Sequence, residues 1–237
     1  MNNWVQKLTK KSKARKSLKK EKWIIKLSEL NAIYIAVPKV ACSSIKRAIA
    51  TSLNVEIPDS GRAIHRAEFL LMDKDSMISQ KGYFKFGFVR NPWDRLVSCY
   101  SDKIVNDENF SNDRYDKGIP RAFHRYKVFK ANMPFRDFLE AVVDIPDDDA
   151  DRHWRSQYTF LSDQNRNLVP DYIGRFENLE EDFSHVFKEL GNSDIRLPHS
   201  NKSKRNSIGY RDYFTDDMLS IFEKRYAKDI EVFNYTF

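Results

Sequence analysis

Cysteine is scarce: Cys42 and Cys99 are the only two in 237 residues. They are too few for a disulfide framework and suit a reducing compartment. Glycine is also scarce, with seven residues beside eight prolines, which excludes collagen-like and low-complexity sequence. No apolar run approaches the ~18 residues that would span a membrane. No apolar h-region follows the N-terminal charges either, so a secretory signal is not expected. CxxC and HExxH patterns are missing, and His65, His124, His153, His185 and His199 show no ligand spacing, so no metal is expected. The acidic run DIPDDDAD at 144–151 reads as a solvated loop.

What is present is a globular composition, 41% hydrophobic and 14% aromatic, long enough for a sizeable core. The net charge of +7 is unevenly placed. Residues 1–22 hold nine Lys/Arg and one acid, leaving 32 basic and 33 acidic residues in the rest, a net −1. The chain therefore reads as a basic arm, 1–22, followed by one domain, 23–237. Nucleic acid is not an expected partner, because the body has no excess of positive charge. Trp4, Val5 and Leu8 stand ahead of most of the arm's lysines, which leaves two readings: a solvated extension, or a helix touching an anionic membrane surface.

Strands alternate with helices along the body. AIYIAV (32–37) is a short β-rich run. It is followed by helical spacing at Ile45, Ala48, Ile49 and Leu53, with a serine in capping position. YFKFGFV (83–89) is a second strand, leading into a helix that Asn91 caps and Pro92 opens. DYIGRFE (171–177) is a third, followed by a box-like cap, Asn178-x-x-Glu181. Helices are expected over 134–143 and over 215–233, the latter starting with a cap and an acidic turn, and loops or short helices over 106–130. The pattern predicts an α/β fold with a parallel sheet and helices on both faces.

Two strand-to-helix turns stand where α/β sheets bind ligands. The first, VPKVACSS, puts Lys39, Ser43 and Ser44 at a helix N-terminus, whose unpaired N–H groups and dipole favour an anion. It has no glycine, and its lysine comes early, so it is not a Walker A loop. The second, FVRNPWDRLVSCY, puts Arg90 at a strand end, with Ser98 about two helical turns further on. Two anion clamps point to one ligand phosphorylated at both ends.

Those segments resemble the Golgi-type carbohydrate sulfotransferases, in the chondroitin and dermatan branch with its bacterial relatives. VPKVACSSIKR is similar to the family's 5′-phosphosulfate loop and FGFVRNPWDRLVSCYSDK to its 3′-phosphate segment. DRHWRSQ, IGRFENLEEDF, PHSNKSK and YAKDIEVFNYTF follow in family order, while 106–150 carries little resemblance.

The resemblance implies a three-layer sulfotransferase fold, related to P-loop NTPases. It implies a sulfuryl transfer from 3′-phosphoadenosine 5′-phosphosulfate (PAPS) to a hydroxyl of a carbohydrate or glycan, without a metal. Lys39 would be the catalytic cation, with Pro38, Val40, Ala41, Cys42, Ser43, Ser44 and Lys46 around the 5′ end. Arg90 and Ser98 would hold the 3′-phosphate, Lys202 and Lys204 would close over it, and Phe176 would meet adenine unless it is a buried strand aromatic. His65 and His153 are the candidate bases, with His65 preferred because it alone lies between the two turns. Unlike the animal members, the chain shows no anchor, stem or cysteine pairs, so a bacterial cytoplasmic enzyme, peripheral to the inner membrane face if the arm binds there, is the expectation. The competing readings are a nucleoside or small-molecule kinase and a non-enzymatic binding module driven by the arm.

Overall fold

The computed structural model describes residues 23–57, 63–65, 67–198 and 209–237. The basic arm, Lys202 and Lys204 lie outside the described residues.

Four strands form the central sheet: β1 (Ile24–Leu27), β2 (Ala32–Ile35), β3 (Phe84–Val89) and β6 (Tyr172–Arg175). Their order is β1-β2-β3-β6. β2, β3 and β6 are parallel, as the alternation of strands and helices predicts, with Tyr34 opposite Phe86 and Gly87 opposite Ile173. β1 runs antiparallel to β2, so the sheet is mixed rather than purely parallel. The reversal needs only a short 3-10 turn, Ser28–Leu30, closed by Asn31 in the left-handed conformation (φ 47°). A second, two-stranded sheet pairs β4 (Tyr115–Asp116) with β5 (Ile119–Pro120) in the segment read as loop.

The helices are α1 (Cys42–Ser52), α2 (Lys74–Ser79), α3 (Pro92–Lys103), α4 (Phe135–Val143), α5 (Tyr158–Leu161), α6 (Leu179–Glu189) and α7 (Asp216–Phe233). They cover both faces of the sheet. Neighbouring strand residues point to opposite faces, and Phe86 meets Phe187 of α6 at 6.0 Å while a Cβ on Gly87 would meet Leu161 of α5. The carboxyl ends of β2 and β3 open into α1 and α3, which fixes where the site is built.

Capping differs from the sequence expectation at three helices. Asn91 caps α3 as expected, accepting from the N–H groups of Trp93 and Asp94, with Pro92 in the first turn. α1 instead begins after Ala41, itself left-handed (φ 48°), and no serine side chain caps it. Asn178 makes no side-chain cap, because the third strand stops at Arg175 and a 3-10 turn, Phe176–Asn178, leads into α6. Thr215 makes none either, since its hydroxyl donates to Asp217.

Candidate functional site

The first turn forms without glycine because two other residues take the backbone conformation that glycine usually supplies. Lys39 (φ 70°) and Ala41 (φ 48°) both adopt the left-handed conformation. Each costs about 1 kcal/mol or more for an L-residue, and such strain persists only where the surroundings over-determine it. Two arginines supply that constraint. Arg95 Nε donates to the Pro38 carbonyl at 3.0 Å, and an Arg90 guanidinium nitrogen donates to the Lys39 carbonyl, also at 3.0 Å. The loop's carbonyls are thereby engaged, while α1 starts at Cys42 with N–H groups that have no intrahelical partner.

Arg90, at the end of β3, is 4% exposed. Its Nε and a terminal nitrogen meet Asp94 at 2.8 and 2.7 Å, and its guanidinium lies 4.1 Å over the ring of Phe176. Phe176 belongs to the 3-10 turn after β6, is half-buried, and uses one face on that arginine. The Arg90 backbone is held as firmly: Gln157 accepts from its N–H at 2.9 Å and donates to its carbonyl at 2.8 Å. Gln157 is completely buried, and its own N–H donates to the buried Asp229 of α7.

Helical spacing sets Asp94, Ser98 and Asp102 four residues apart along one stripe of α3. Asp94 carries Arg90, Asp102 carries Lys39, and half-buried Ser98 stands between them. Lys39 Nζ lies 2.8 Å from Asp102 Oδ2, and Lys103 Nζ lies 3.1 Å from the same oxygen. Burial alone would raise the Asp102 pKa; the two lysines outweigh it and hold the carboxyl well below the usual carboxylate range.

Both candidate histidines face this group of cations. His65 Nε2 lies 3.0 Å from Ser43 Oγ, which ties it to the first turn of α1. Desolvation, then Lys46, Arg152, Arg114 and His153, push its pKa down to about 4. His153 Nδ1 lies 2.5 Å from Asp151 Oδ1, and the same oxygen accepts the His153 backbone N–H at 3.0 Å. Desolvation lowers His153 to about 4 as well, with Lys103 and Arg152 pushing the same way against the pull of Asp151. Burial would raise Asp151, but its bonds to His153 bring it down to about 2. Lys46, 6% exposed on α1, has its pKa lowered mainly by desolvation.

Lys39, Ser43, Lys46, His65, Arg90, Ser98 and His153 are thus brought to one region at the carboxyl ends of β2 and β3. Val40 is buried beneath the loop, and Pro38, Cys42 and Ser44 are partly covered around it. Cys99 is buried in α3, where desolvation pushes its thiol up to about 12. Among the described residues no group of His, Cys, Asp or Glu is placed to hold a metal, and no helix is long and apolar enough to cross a membrane.

Several residues of this region went unread in the sequence. Asp94 and Asp102 had a signal, the four-residue spacing from Arg90 and Ser98. Gln157 and Asp229 had none, because their partners are far away in the chain, and Asp151, two positions from His153, was read only as part of an acidic run. The segment after α7 is also part of the support. The Asn91 amide donates to the Thr236 carbonyl, Tyr235 donates to Glu177, and Glu177 accepts the Asn91 N–H.

Comparison with known proteins bears on this geometry. The sequence model of the Sulfotransferase family matches residues 24–236. Carbohydrate sulfotransferase 11 of Danio rerio is 29% identical over 230 residues, covering 86% of this chain and 64% of its own length. Carbohydrate sulfotransferase 14 of Danio rerio is 30% identical over 180 residues, covering 70% and 48%. Carbohydrate sulfotransferase 9 of Homo sapiens is 27% identical over 235 residues, covering 86% and 51%. The chain thus spans about half to two thirds of the length of these curated relatives. No solved structure matches it significantly.

Proposed function

The chain belongs to the sulfotransferase family, and on that premise we propose that it transfers a sulfuryl group from PAPS to a hydroxyl of a carbohydrate acceptor. One observation carries the reading: the hydrogen bond from Arg90 to the Lys39 carbonyl joins the two cation-bearing turns. A ligand with anionic groups at both ends would meet two cation-bearing turns held at a fixed separation there. The residues present fit such a ligand, with Lys39 beside the start of α1 and Lys46 on its second turn, and Arg90 just before α3 with Ser98 about two turns along it. Bound there, the donor supplies an activated sulfur–oxygen bond to its 5′-phosphate.

The chain's own groups then divide the work. His153 takes the proton of the attacking hydroxyl at Nε2, the nitrogen that Asp151 leaves available by holding Nδ1. The new bond joins the acceptor oxygen to sulfur, the bond from sulfur to the bridging oxygen breaks, and the electron pair stays on the phosphate. Lys39 and the N–H groups at the start of α1 meet the charge that grows on that oxygen. Arg90 meets the 3′-phosphate through the terminal N–H groups that its bonds to Asp94 and the Lys39 carbonyl leave over. His153 is preferred to His65 as base because a carboxylate orients it, whereas His65 Nε2 is occupied by Ser43. His65 then keeps the Ser43 hydroxyl in place at the 5′ end.

The test is a pair of measurements. Adenosine 3′,5′-bisphosphate should raise the melting temperature and ATP with magnesium should not. Labelled PAPS should then label a glycan acceptor. Stabilisation by ATP–magnesium alone would overturn the proposal in favour of phosphoryl transfer.

A further inference from the structure

Asp102 is a carboxylate in the wrong place for a simple anion site. It bonds Lys39, the cation that the proposed function directs at the donor's 5′ end, and it sits on the same stripe of α3 as Ser98. An anion reaching Lys39 must therefore displace a carboxylate that already holds it at 2.8 Å. Separating a partly buried ion pair normally strands a charge, which is costly when one partner is simply removed. Here the cost is offset within the site. Lys103 Nζ lies 3.1 Å from the same Asp102 oxygen and is 9% exposed, with Tyr115 Oη 3.2 Å away as its second partner. When Lys39 leaves, Asp102 remains paired.

We propose that Asp102 and Lys103 are positioning residues that set donor affinity through Lys39. Asp102 competes with the incoming anion for the Lys39 ammonium, and Lys103 weakens that competition by neutralising Asp102. The inference rests on the donor reading above, because it takes Lys39 as the contact to the 5′ end. It also fits the side chains: a left-handed residue at the tip of a tight turn reaches α3, and the carboxylate that receives it is held well below the usual carboxylate range, so it stays charged at neutral pH.

The two residues should act in opposite directions, which a merely structural role does not produce. Binding of adenosine 3′,5′-bisphosphate is measured by calorimetry at fixed ionic strength, with melting curves to verify folding. Asp102→Asn, nearly the same shape, should bind the bisphosphate about fivefold tighter than wild type. Lys103→Met should bind it about fivefold more weakly. In the double variant Asp102→Asn/Lys103→Met, the Lys103 change should have no further effect, since its target is gone.

Unchanged or weaker binding by Asp102→Asn overturns the inference while leaving the donor reading intact. An equal loss from Lys103→Met in both backgrounds overturns it too, because Lys103 would then be touching the ligand itself. If Lys103→Met does not fold, Asp102→Asn is repeated in a Lys39→Ala background: a gain in binding that vanishes without Lys39 supports the inference, and one that persists is a general charge effect and overturns it. Failure of the wild-type protein to bind the bisphosphate removes the donor reading, and this inference with it.

Discussion

The guanidinium of Arg90 donates to the backbone carbonyl of Lys39 at 3.0 Å, across 51 positions of sequence. The two turns that carry the site's principal cations are therefore one piece of structure, and what disturbs one is felt in the other. Predictions for the two residues differ because one contributes its side chain alone, while the other also braces the backbone of its partner.

Lys39→Ala should leave the fold nearly intact, since the side chain is partly exposed and its partner Asp102 keeps Lys103. Sulfuryl transfer should fall by roughly 10²–10³ in kcat, the usual loss when a donor aimed at a developing charge is removed. Single-turnover transfer from labelled PAPS measures it. A loss confined to KM would show that Lys39 binds donor without acting in the transfer step.

Arg90→Lys is not conservative at this site. An ammonium cannot hold Asp94 in two-point fashion, stack on Phe176 and reach the Lys39 carbonyl together. Affinity for adenosine 3′,5′-bisphosphate should drop by about tenfold or more, the equivalent of ~1.4 kcal/mol. Titration calorimetry on wild type and variant is the check.

Asp151→Asn should separate the histidines. If His153 is the base, loss of the orienting carboxylate lowers kcat by roughly 10²–10⁴ with donor binding preserved, as expected when a base loses its tautomer control. His153→Ala should do the same. His65→Ala should act mainly on donor binding through Ser43. Dead His65→Ala with intact bisphosphate binding, beside an active His153→Ala, would reverse the assignment.

Acid should destabilise the protein chiefly through His153. Its folded pKa is about 4 against about 6.5 in an unfolded chain, whereas His65 is exposed and solvent screens its share. The unfolded state therefore binds more protons between those values, and stability falls as pH drops through that window. Above about pH 6.5 the contribution is fully present. Urea melts at a series of pH values between 4 and 7 give the slope, which should flatten in His153→Ala and change little in His65→Ala.

Gly174→Ala tests the sheet behind the site. A Cβ there would lie 2.5 Å from the ring of Phe88 and 3.0 Å from Asp182 Cβ, both fixed by packing. Overpacking of this kind costs about 1–3 kcal/mol. A lowered denaturation midpoint with an unchanged m-value would register it.

Sequence made the three parallel strands, α1, α3 and the positions of both turns legible, because short β-rich runs and helical spacing are local signals. Asn91 and Pro92 announced the start of α3 for the same reason. β1 was missed since IIKL is too short to carry a period, and its partner β2 follows after a turn that only Asn31's left-handed backbone completes. Ser43 looked like a cap because it sits beside the helix start; the loop instead closes on strained backbone braced by Arg90 and Arg95, and nothing in a linear reading predicts that bracing. The preference for His65 came from its place between the turns. The Asp151–His153 contact is equally local, two positions apart, but an acidic residue in an acidic run gave no reason to single it out.

The residues after α7 give the site a history as well as a shape. Thr236 reaches Asn91 across 145 positions, and Tyr235 holds the Glu177 that accepts the Asn91 N–H. During synthesis the Arg90 turn leaves the ribosome long before those partners exist. At about 5–20 residues per second, that interval is on the order of ten seconds. The nascent chain can assemble its sheet early and still lack this brace, so the Arg90 turn takes its final support only when the segment after α7 has been made.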